Sequence, residues 1–273
     1  MNESKVSIIM GVHNCENTLS EAIESILDQT YINWELIICD DASTDKTYEI
    51  AQKYKDKFED KIILIKNEEN MFLAYSLNRC LEYAEGQYIA RMDGDDISVP
   101  ERLEKQVLFL REHPDVDLVG TSMQQFNESG PIRIICKPQY PDRWILKKDM
   151  PFNHATIMTY KKVYEDLGGY TVAKRTRRGQ DYDLWFRFFA KGMKGANIDE
   201  PLYLVREDNV ALKRRSFKAR WSTFSTTVFG YRLLNYPKYW LLQAFITTLC
   251  KSVVPYGVVG LYRNYQQKNY LKR

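Results

Sequence analysis

Three carboxylates stand close together in the stretch YIARMDGDDISVPERL, residues 88–103, where an apolar segment runs directly into Asp93, Asp95 and Asp96 around one glycine. Like charges at this spacing repel one another unless a cation or a shared proton occupies the site. Oxygen ligands with no histidine or cysteine beside them suit Mg²⁺ or Mn²⁺ better than zinc. The stretch therefore predicts a divalent-metal site, with substrate phosphates completing the coordination shell.

Two other apolar segments also end in polar residues. His13 and Asn14 close the segment KVSIIMGVHN, and Asp40 and Asp41 close WELIICDD. If these segments are parallel strands, their carboxyl ends share one edge of a sheet, where ligands bind in α/β proteins. We therefore expect these residues and the three aspartates to converge on one crevice. The alternative is a set of separate acidic loops that serve solubility alone.

The elements that must position these residues alternate between strands and helices up to residue 117. Short β-branched segments alternate with segments of helical period such as TLSEAIESILDQ, in which Thr18 and Glu21 form a predicted capping box. Continuous apolar strands between amphipathic helices predict an α/β fold with a mostly parallel sheet flanked by helices. Beyond residue 117 we expect the strands DLVGTSMQQF, IRIICKP and NIDEPLYLVRED, the strand-to-helix segment DMPFNHATIMTYKKVYEDLGGY and the aromatic helix QDYDLWFRFFAKG.

The composition limits the classes of partner. The 273 residues carry a net charge of only +3, which argues against a nucleic-acid-binding protein. The five cysteines are odd in number and widely spaced, so neither a zinc site nor a disulfide framework is predicted. Because the chain begins without a basic and apolar leader, we expect a cytoplasmic protein.

Five segments form a longer pattern, in the chain order VSIIMGVHN, LIICDDASTDKT, LAYSLNRCLEYAEGQYIARMDGDDISVPERL, NHATIMTYKKVYEDLGGY and QDYDLWFRF. In this order and at this spacing they resemble the family-2 inverting glycosyltransferases, which have the Rossmann-like GT-A fold. The resemblance covers residues 5–205. It implies a sugar transferase that uses a nucleotide-sugar donor and a divalent metal.

The resemblance also implies roles for individual residues. The end of the first strand would lie along the nucleotide, through Gly11, Val12, His13 and Asn14. Asp41 would hydrogen-bond uracil or another base, with Asp40 in the same pocket. Asp95 would be the direct metal ligand and Asp93 would lie nearer the ribose, with Mn²⁺ or Mg²⁺ as the cofactor.

Asp181 stands where the family places its general base. Independently of the family, inverting sugar transfer needs one carboxylate to take the proton of the acceptor hydroxyl as that hydroxyl attacks the anomeric carbon. Asp183, two residues later, is the rival candidate. The alternative for Asp181 is a carboxylate that only stabilises the start of its helix through the helix dipole.

Further candidates surround the predicted base. His154 lies in the segment FNHAT, which matches a family segment near the acceptor, although a single histidine is as often structural. The basic loop KRTRRGQD, residues 174–181, offers Arg177 and Arg178 to the leaving diphosphate or to an anionic acceptor, the alternative being a solvated loop. Ala42 and Phe72 each occupy a position where the family usually has glycine, which leaves the identity of the donor open.

The chain is predicted to contain two regions. Residues 1–205 would form the GT-A domain, with a nucleotide-binding half at 1–100 and an acceptor half at 101–205. Residues 206–273 are basic, rich in aromatic residues and predicted to be helical, but their apolar runs are too short to span a bilayer. We expect this C-terminal region to bind the cytosolic face of the membrane peripherally. The alternative is a packing surface or a homo-oligomer interface.

The leading hypothesis is a metal-dependent inverting glycosyltransferase that moves a sugar from a UDP-sugar to a glycan or lipid-linked acceptor in surface polysaccharide synthesis. A nucleotidyltransferase would more often carry a glycine-rich basic loop after the first strand, which GVHNCENT lacks. A non-catalytic sugar-nucleotide-binding protein would be expected to have lost Asp95 or Asp181. A metal-dependent phosphatase is the weakest alternative, since Asp93 follows the fourth strand rather than the first.

Overall fold

A computed structural model of the protein describes residues 4–207 and 217–253. Within these residues nine strands form one sheet. Their bounds are β1 Val6–Val12, β2 Trp34–Asp40, β3 Ile62–Lys66, β4 Tyr88–Arg91, β5 Ile97–Ser98, β6 Leu118–Asn127, β7 Gly130–Ile135, β8 Met158–Tyr160 and β9 Gly195–Arg206.

The strands follow the order β3-β2-β1-β4-β8-β6-β9-β5, with β7 beside β6. Strands β1 to β4 run in one direction, and β9 pairs in parallel with β6. Strands β5, β7 and β8 run antiparallel to their neighbours. Of the described strands, six therefore point one way and three the other, which confirms the mostly parallel sheet. The short strand β5 was not predicted.

Helices cover both faces of this sheet. Among the described residues they are α1 Leu19–Leu27, α2 Thr47–Lys57, α3 Leu73–Tyr83, α4 Arg102–Glu112, α5 Lys161–Leu167, α6 Gln180–Ala190, α7 Phe217–Leu233 and α8 Tyr239–Val253. Successive strand residues point to opposite faces, so Ile8 and Met10 of β1 join one apolar cluster and Ile9 joins the other. Burial on both faces explains why the central strands are continuously apolar and confirms the α/β fold class.

The start of α1 differs from the prediction. The Thr18 side chain does not cap the helix; its hydroxyl donates to the carbonyl oxygen of Gly94 at 3.0 Å. Glu21 forms an ion pair with Arg206 at the end of β9. The predicted capping box is therefore wrong, because both side chains bind tertiary partners. These bonds tie α1 to β9 and to residues 93–96, which we call the acidic loop.

The C-terminal region packs against α6 where the structure describes it. Gly230 of α7 lies so close to the ring of Phe186 that a side chain at position 230 would overlap the ring. Tyr231 meets the same ring, with centroids 6.0 Å apart. The Ser222 hydroxyl donates to the carbonyl oxygen of Arg175 at 2.7 Å. Helix α7 therefore supports both α6 and the basic loop before it.

Two parts of the C-terminal prediction, residues 208–216 and 254–273, lie outside the described residues. They include the first four residues of the basic run KRRSFKARW and the closing segment KNYLKR. In the described part of the chain, no helix combines the length and the apolar character needed to cross a bilayer.

Candidate active site

A cleft of about 860 Å³ lies where the loops after β1 and β2 meet the start of α6. Six of the predicted site residues line it, namely His13, Asn14, Asp41, Arg177, Arg178 and Asp181. The structure therefore brings together side chains that are up to 168 positions apart in the chain (from 13 to 181), whereas the predicted site residues Asp40, Asp93, Asp95 and Asp96 do not line this cleft. The cleft lies at the carboxyl ends of β1 and β2, where ligands bind in α/β proteins.

His13 and Asn14 tie the end of β1 to neighbouring loops. His13 Nδ1 donates to the carbonyl oxygen of Asp41 at 2.9 Å, since a carbonyl can only accept. His13 Nε2 is then left to accept from Asn70 Nδ2 at 3.1 Å. Asn14 has a left-handed φ of 54°, and its Oδ1 accepts from the amide of Thr44 at 2.9 Å. The imidazole is thus held at the exposed edge of the cleft.

Gly11 and Val12 lie in β1 and are not among the residues that line the cleft. A side chain at position 11 would lie 2.9 Å from Leu73 Cδ1, so Gly11 allows α3 to approach β1. Gly94, the glycine among the three aspartates, likewise allows a close approach to β1, in this case by the acidic loop. A side chain there would lie 2.7 Å from Val12 Cγ1, so only glycine lets the acidic loop pack against β1.

The carboxylate of Asp41 organises the loop after β3. Its Oδ1 accepts from Asn67 Nδ2 and from the Met71 amide, both at 2.8 Å. Its Oδ2 accepts from the Phe72 amide at 2.8 Å. Because each carboxylate oxygen has two lone pairs, Oδ2 retains the capacity to accept from a ligand.

Asp40 is fully buried behind Asp41. Its Oδ2 accepts from the Ser43 amide at 3.2 Å, whereas its Oδ1 has no hydrogen-bond partner within the described residues. A buried carboxylate oxygen left without a donor is costly, so this oxygen is a position that a water or ligand group would complete.

Two buried arginines lie beneath the acidic loop. Arg91 is 2% exposed, and its Nη1 and Nη2 donate to the two oxygens of Asp93 at 2.6 and 2.5 Å. Arg102 donates to the carbonyl oxygen of Arg91 at 2.7 Å, and burial lowers the pKa of Arg102 to about 10. The Asp93 amide donates to the hydroxyl of Tyr203 at 3.1 Å. The guanidinium groups thus offset part of the negative charge of the loop.

The other two aspartates of the loop differ in exposure. Asp95 is exposed, whereas Asp96 is 3% exposed and accepts from the Arg206 amide at 2.8 Å. Burial and the charges of Asp93 and Asp95 raise the pKa of Asp96 well above its usual range. Carboxylate oxygens of all three residues lie within 4.8 Å of one another. Such a set of hard donors fits Mg²⁺ or Mn²⁺.

Asp181 lies in the first turn of α6 and is half-buried at the cleft wall. Burial raises the pKa of Asp181, and the Tyr182 amide, which donates to its Oδ1 at 2.8 Å, and the charge of Arg91 oppose this rise. The negative charge of Asp93 adds to the rise. A carboxylate with a raised pKa is a stronger base than an exposed aspartate.

Asp183 is fully buried and does not line the cleft. Arg175 Nη1 and Arg187 Nε each donate to it at 2.8 Å, and the Thr171 hydroxyl donates at 2.6 Å. These partners engage both carboxylate oxygens, so Asp183 joins the basic loop to α6. This position favours Asp181 over Asp183 as the base.

His154 lies among aromatic rings and does not line the cleft. Its Nε2 lies 3.0 Å from the Tyr170 hydroxyl, which is 2.8 Å from the Tyr164 hydroxyl. Its ring meets that of Trp185 edge-on. Burial and the charge of Arg91 lower the pKa of His154 well below its usual value, so the imidazole is uncharged at neutral pH.

The basic loop presents Arg177 and Arg178 to the cleft as exposed side chains. The guanidinium of Arg177 lies 4.5 Å from the ring centroid of Phe72, a cation–π contact. Phe72 itself has a positive φ of 68°. The two residues therefore form a joint wall of the cleft.

Three residues of the site, Arg91, Asn67 and Tyr203, were not predicted from the sequence. A signal existed for Arg91, because a charged residue inside the apolar segment YIAR needs a buried partner. Asn67 follows β3, as the other polar clusters follow their strands. Tyr203 carries no such signal, since its position beside Asp93 depends on the pairing of β9.

Sequence comparison identifies the family. The model described as "Glycosyl transferase family 2" matches residues 7–168, more than half of the chain. The chain belongs to this family. EpsE of Bacillus subtilis (strain 168) is 55% identical over 213 residues, which cover 78% of this chain and 77% of EpsE. The O-antigen biosynthesis glycosyltransferase WbnJ of Escherichia coli is 34% identical over 216 residues, which cover 77% of this chain and 82% of WbnJ.

A third relative, from Escherichia coli, is WfaP, named as a UDP-Glc:alpha-D-GlcNAc-diphosphoundecaprenol beta-1,3-glucosyltransferase. It is 29% identical over 217 residues, which cover 77% of this chain and 80% of WfaP. These relatives confirm the resemblance to family-2 glycosyltransferases. The protein is therefore a glycosyltransferase, and family membership favours sugar transfer over nucleotidyl transfer.

Two solved structures share the fold. S. aureus TarS in complex with UDP-GlcNAc has a TM-score of 0.66 at 21% identity, over 82% of this chain and just under two thirds (66%) of the TarS chain. The mannosyltransferase PcManGT from Pyrobaculum calidifontis, in complex with GDP-Man and Mn²⁺, has a TM-score of 0.65 at 17% identity, over 96% of this chain and 80% of PcManGT. At these identities the likeness confirms the GT-A fold and carries no residue roles.

Proposed function

We propose that the protein is an inverting glycosyltransferase that moves a sugar from a UDP-sugar to a hydroxyl of a lipid-linked or growing glycan in surface polysaccharide synthesis. The observation that carries the proposal is the shared cleft, in which Asp41 and His13 lie together with Asp181 and the basic loop. The name of WfaP states a UDP-sugar donor and a diphosphoundecaprenol-linked acceptor, and the TarS structure contains UDP-GlcNAc.

In this proposal each group of the cleft has one task. Asp41 accepts from the N–H of the base through the free lone pair of Oδ2. The Asp181 carboxylate takes the proton of the acceptor hydroxyl as the hydroxyl oxygen bonds to the anomeric carbon. The bond between that carbon and the diphosphate oxygen breaks on the opposite face, so UDP leaves and the configuration inverts. Arg177 and Arg178 offer cations to the diphosphate.

We further propose that Mn²⁺ or Mg²⁺ binds at the acidic loop, with Asp95 as the direct ligand and Asp93 nearer the ribose. The exposed carboxylate of Asp95 and the clustering of three oxygen donors within 4.8 Å support this assignment. Asp93 is less exposed than Asp95, and both terminal nitrogens of Arg91 hold its carboxylate in place. When bound, the cation would offset charge that develops on the diphosphate.

The test is a calorimetric titration with a panel of nucleoside diphosphates, with Mn²⁺ and with chelator, followed by transfer from radiolabelled UDP-sugars to diphosphoundecaprenol-linked sugars. We expect tight binding of UDP that requires the metal, and a product whose anomeric configuration is opposite to that of the donor. A retained configuration would contradict the inverting mechanism, and absence of binding across the panel would refute a nucleotide donor.

Peripheral membrane binding is proposed for the C-terminal helices. On α8 the residues Tyr239, Leu242, Ile246 and Leu249 recur at helical spacing, and they are 69%, 62%, 51% and 40% exposed. Residues 209–273 contain 12 Lys and Arg and no Asp or Glu. An apolar stripe within such a basic region fits an anionic bilayer surface, whereas like charges disfavour self-association.

Co-sedimentation with phosphatidylglycerol vesicles tests this surface. The double variant Leu242→Glu, Ile246→Glu should lose binding, because it places carboxylates on the stripe. Ile32→Glu is the matched control, since Ile32 is 71% exposed on the GT-A domain. Equal sedimentation of the double variant and the control would refute the membrane assignment, and dimerisation that depends on the stripe would support a homo-oligomer interface instead.

A further inference from the structure

Phe72 has a backbone conformation that glycine normally occupies. Its φ is 68° and its ψ is 161°, a combination that a Cβ atom makes unfavourable. Phe72 directly precedes α3. The chain therefore carries a large aromatic side chain where its own backbone favours none.

Hydrogen bonds on both sides of the residue fix this conformation. Asp41 Oδ2 accepts from the Phe72 amide at 2.8 Å, and the Phe72 carbonyl accepts from the amides of Tyr75 and Ser76 at 3.1 and 3.3 Å. The Met71 amide is bound to Asp41 Oδ1 at 2.8 Å. The backbone cannot relax without breaking the contacts of Asp41 or the first turn of α3.

The packing of the Phe72 side chain does not offset the free-energy cost of this backbone conformation. The Phe72 side chain is 42% exposed, so its burial contributes little. It lines the cleft together with His13 and Asp41, and the Arg177 guanidinium lies 4.5 Å from its ring centroid. A strained residue that gains little from packing is best explained by a ligand contact, because such strain is typically retained at functional sites.

We propose that Phe72 is a donor-binding residue: its ring stacks against the planar base of the nucleotide, and Arg177, held on the same ring, meets the diphosphate. The inference rests on the proposed function, since it requires a nucleotide donor. Aromatic rings bind bases through stacking, and guanidinium groups suit phosphate oxygens. Asp41, which binds the Phe72 amide, is also the proposed partner of the base, so one carboxylate positions both contacts.

The test compares Phe72→Gly with Ala42→Gly by calorimetric titration with UDP and by competition with uridine. Both changes relieve a positive φ, because Ala42 has a φ of 55°, but only the first removes a ring. We expect both variants to have a raised Tm. Only Phe72→Gly should weaken the binding of UDP and of uridine, each by about 5- to 150-fold.

Two further variants separate the ring from the cation. Phe72→Tyr keeps the aromatic face and should keep the affinity for both ligands. Arg177→Ala should weaken the binding of UDP and leave the affinity for uridine unchanged. Wild-type affinities in Phe72→Gly would overturn the proposal, and so would a loss confined to UDP, since the ring would then act only through Arg177. A wild-type protein that binds neither ligand would instead refute the proposed function, so the two failures are distinguishable.

Discussion

Replacement of Asp181 with asparagine is expected to abolish transfer while preserving the fold. The asparagine Oδ1 can still accept from the Tyr182 amide, which donates to Asp181 Oδ1 at 2.8 Å. The variant loses the ability to take a proton, which is worth about 10²- to 10⁴-fold in rate, or about 3–5 kcal/mol of activation free energy. We therefore expect kcat to fall by this factor and the Kd for UDP to stay unchanged, since Asp41 is the proposed partner of the base.

The raised pKa of Asp181, which burial causes, adds a dependence on pH. A base must be ionised, so wild-type kcat should fall as pH drops through a pKa above that of an exposed aspartate, and the variant should lack this limb. The folded state also holds this proton more tightly than the unfolded chain does. Stability therefore decreases as pH rises from the unfolded to the folded pKa, and Asp181→Asn should raise the Tm at neutral pH.

The assay follows UDP release and product formation over a range of pH, with Tm measured on the same samples. Asp183→Asn tests the rival carboxylate two residues away, and its turnover is compared only at temperatures below its own lowered Tm. Turnover of Asp181→Asn within about threefold of wild type would refute the assignment, since it lies far outside the contribution expected of a base.

Three other predictions concern the surroundings of the base and the metal. Asp183→Asn should lower the free energy of unfolding by about 3–5 kcal/mol and the Tm by roughly 6–20 °C, because it leaves Arg175 and Arg187 without their buried carboxylate; an unchanged Tm by calorimetry would show that this pairing contributes nothing. Gly230→Ala should cost about 1–3 kcal/mol in urea unfolding, because its methyl group overlaps the Phe186 ring; a neutral result would contradict the packing of α7 on α6. Asp95→Ala should weaken UDP binding in Mn²⁺ by more than about tenfold, to the level of the chelated wild type; an effect of chelator that persists in the variant would place the metal elsewhere.

Local pattern was sufficient for much of the fold and for part of the candidate site. Apolar strands between amphipathic helices fixed the α/β class, because periodicity reports directly which faces are buried. The polar residues His13 and Asp41 could be placed together before any coordinates, since parallel strands end at one edge. For Asp93 and Asp95, residue type and spacing predicted a cation site, and the structure places their carboxylate oxygens within 4.8 Å of each other and of Asp96.

Tertiary structure decided what depends on direction and on distant partners. Asp181 and Asp183 are both in the first turn of α6, and the sequence left them as rivals. Residues two positions apart in a helix are separated by about 200° of rotation about its axis. The Asp181 side chain therefore reaches the cleft, while that of Asp183 is buried between Arg175 and Arg187. No local pattern reports which way the helix is turned, because packing against its neighbours sets that rotation.

Phe72 shows the same limit for the backbone. Its sequence neighbours predict only the start of a helix, whereas its glycine-like conformation depends on Asp41, 31 positions earlier. The capping box failed for a similar reason, since Thr18 bonds to Gly94 across the fold. Sequence by itself determined which chemical groups the protein places at one edge of its sheet. Only the tertiary structure decided which of them meet, because hydrogen bonds between distant segments override local preference.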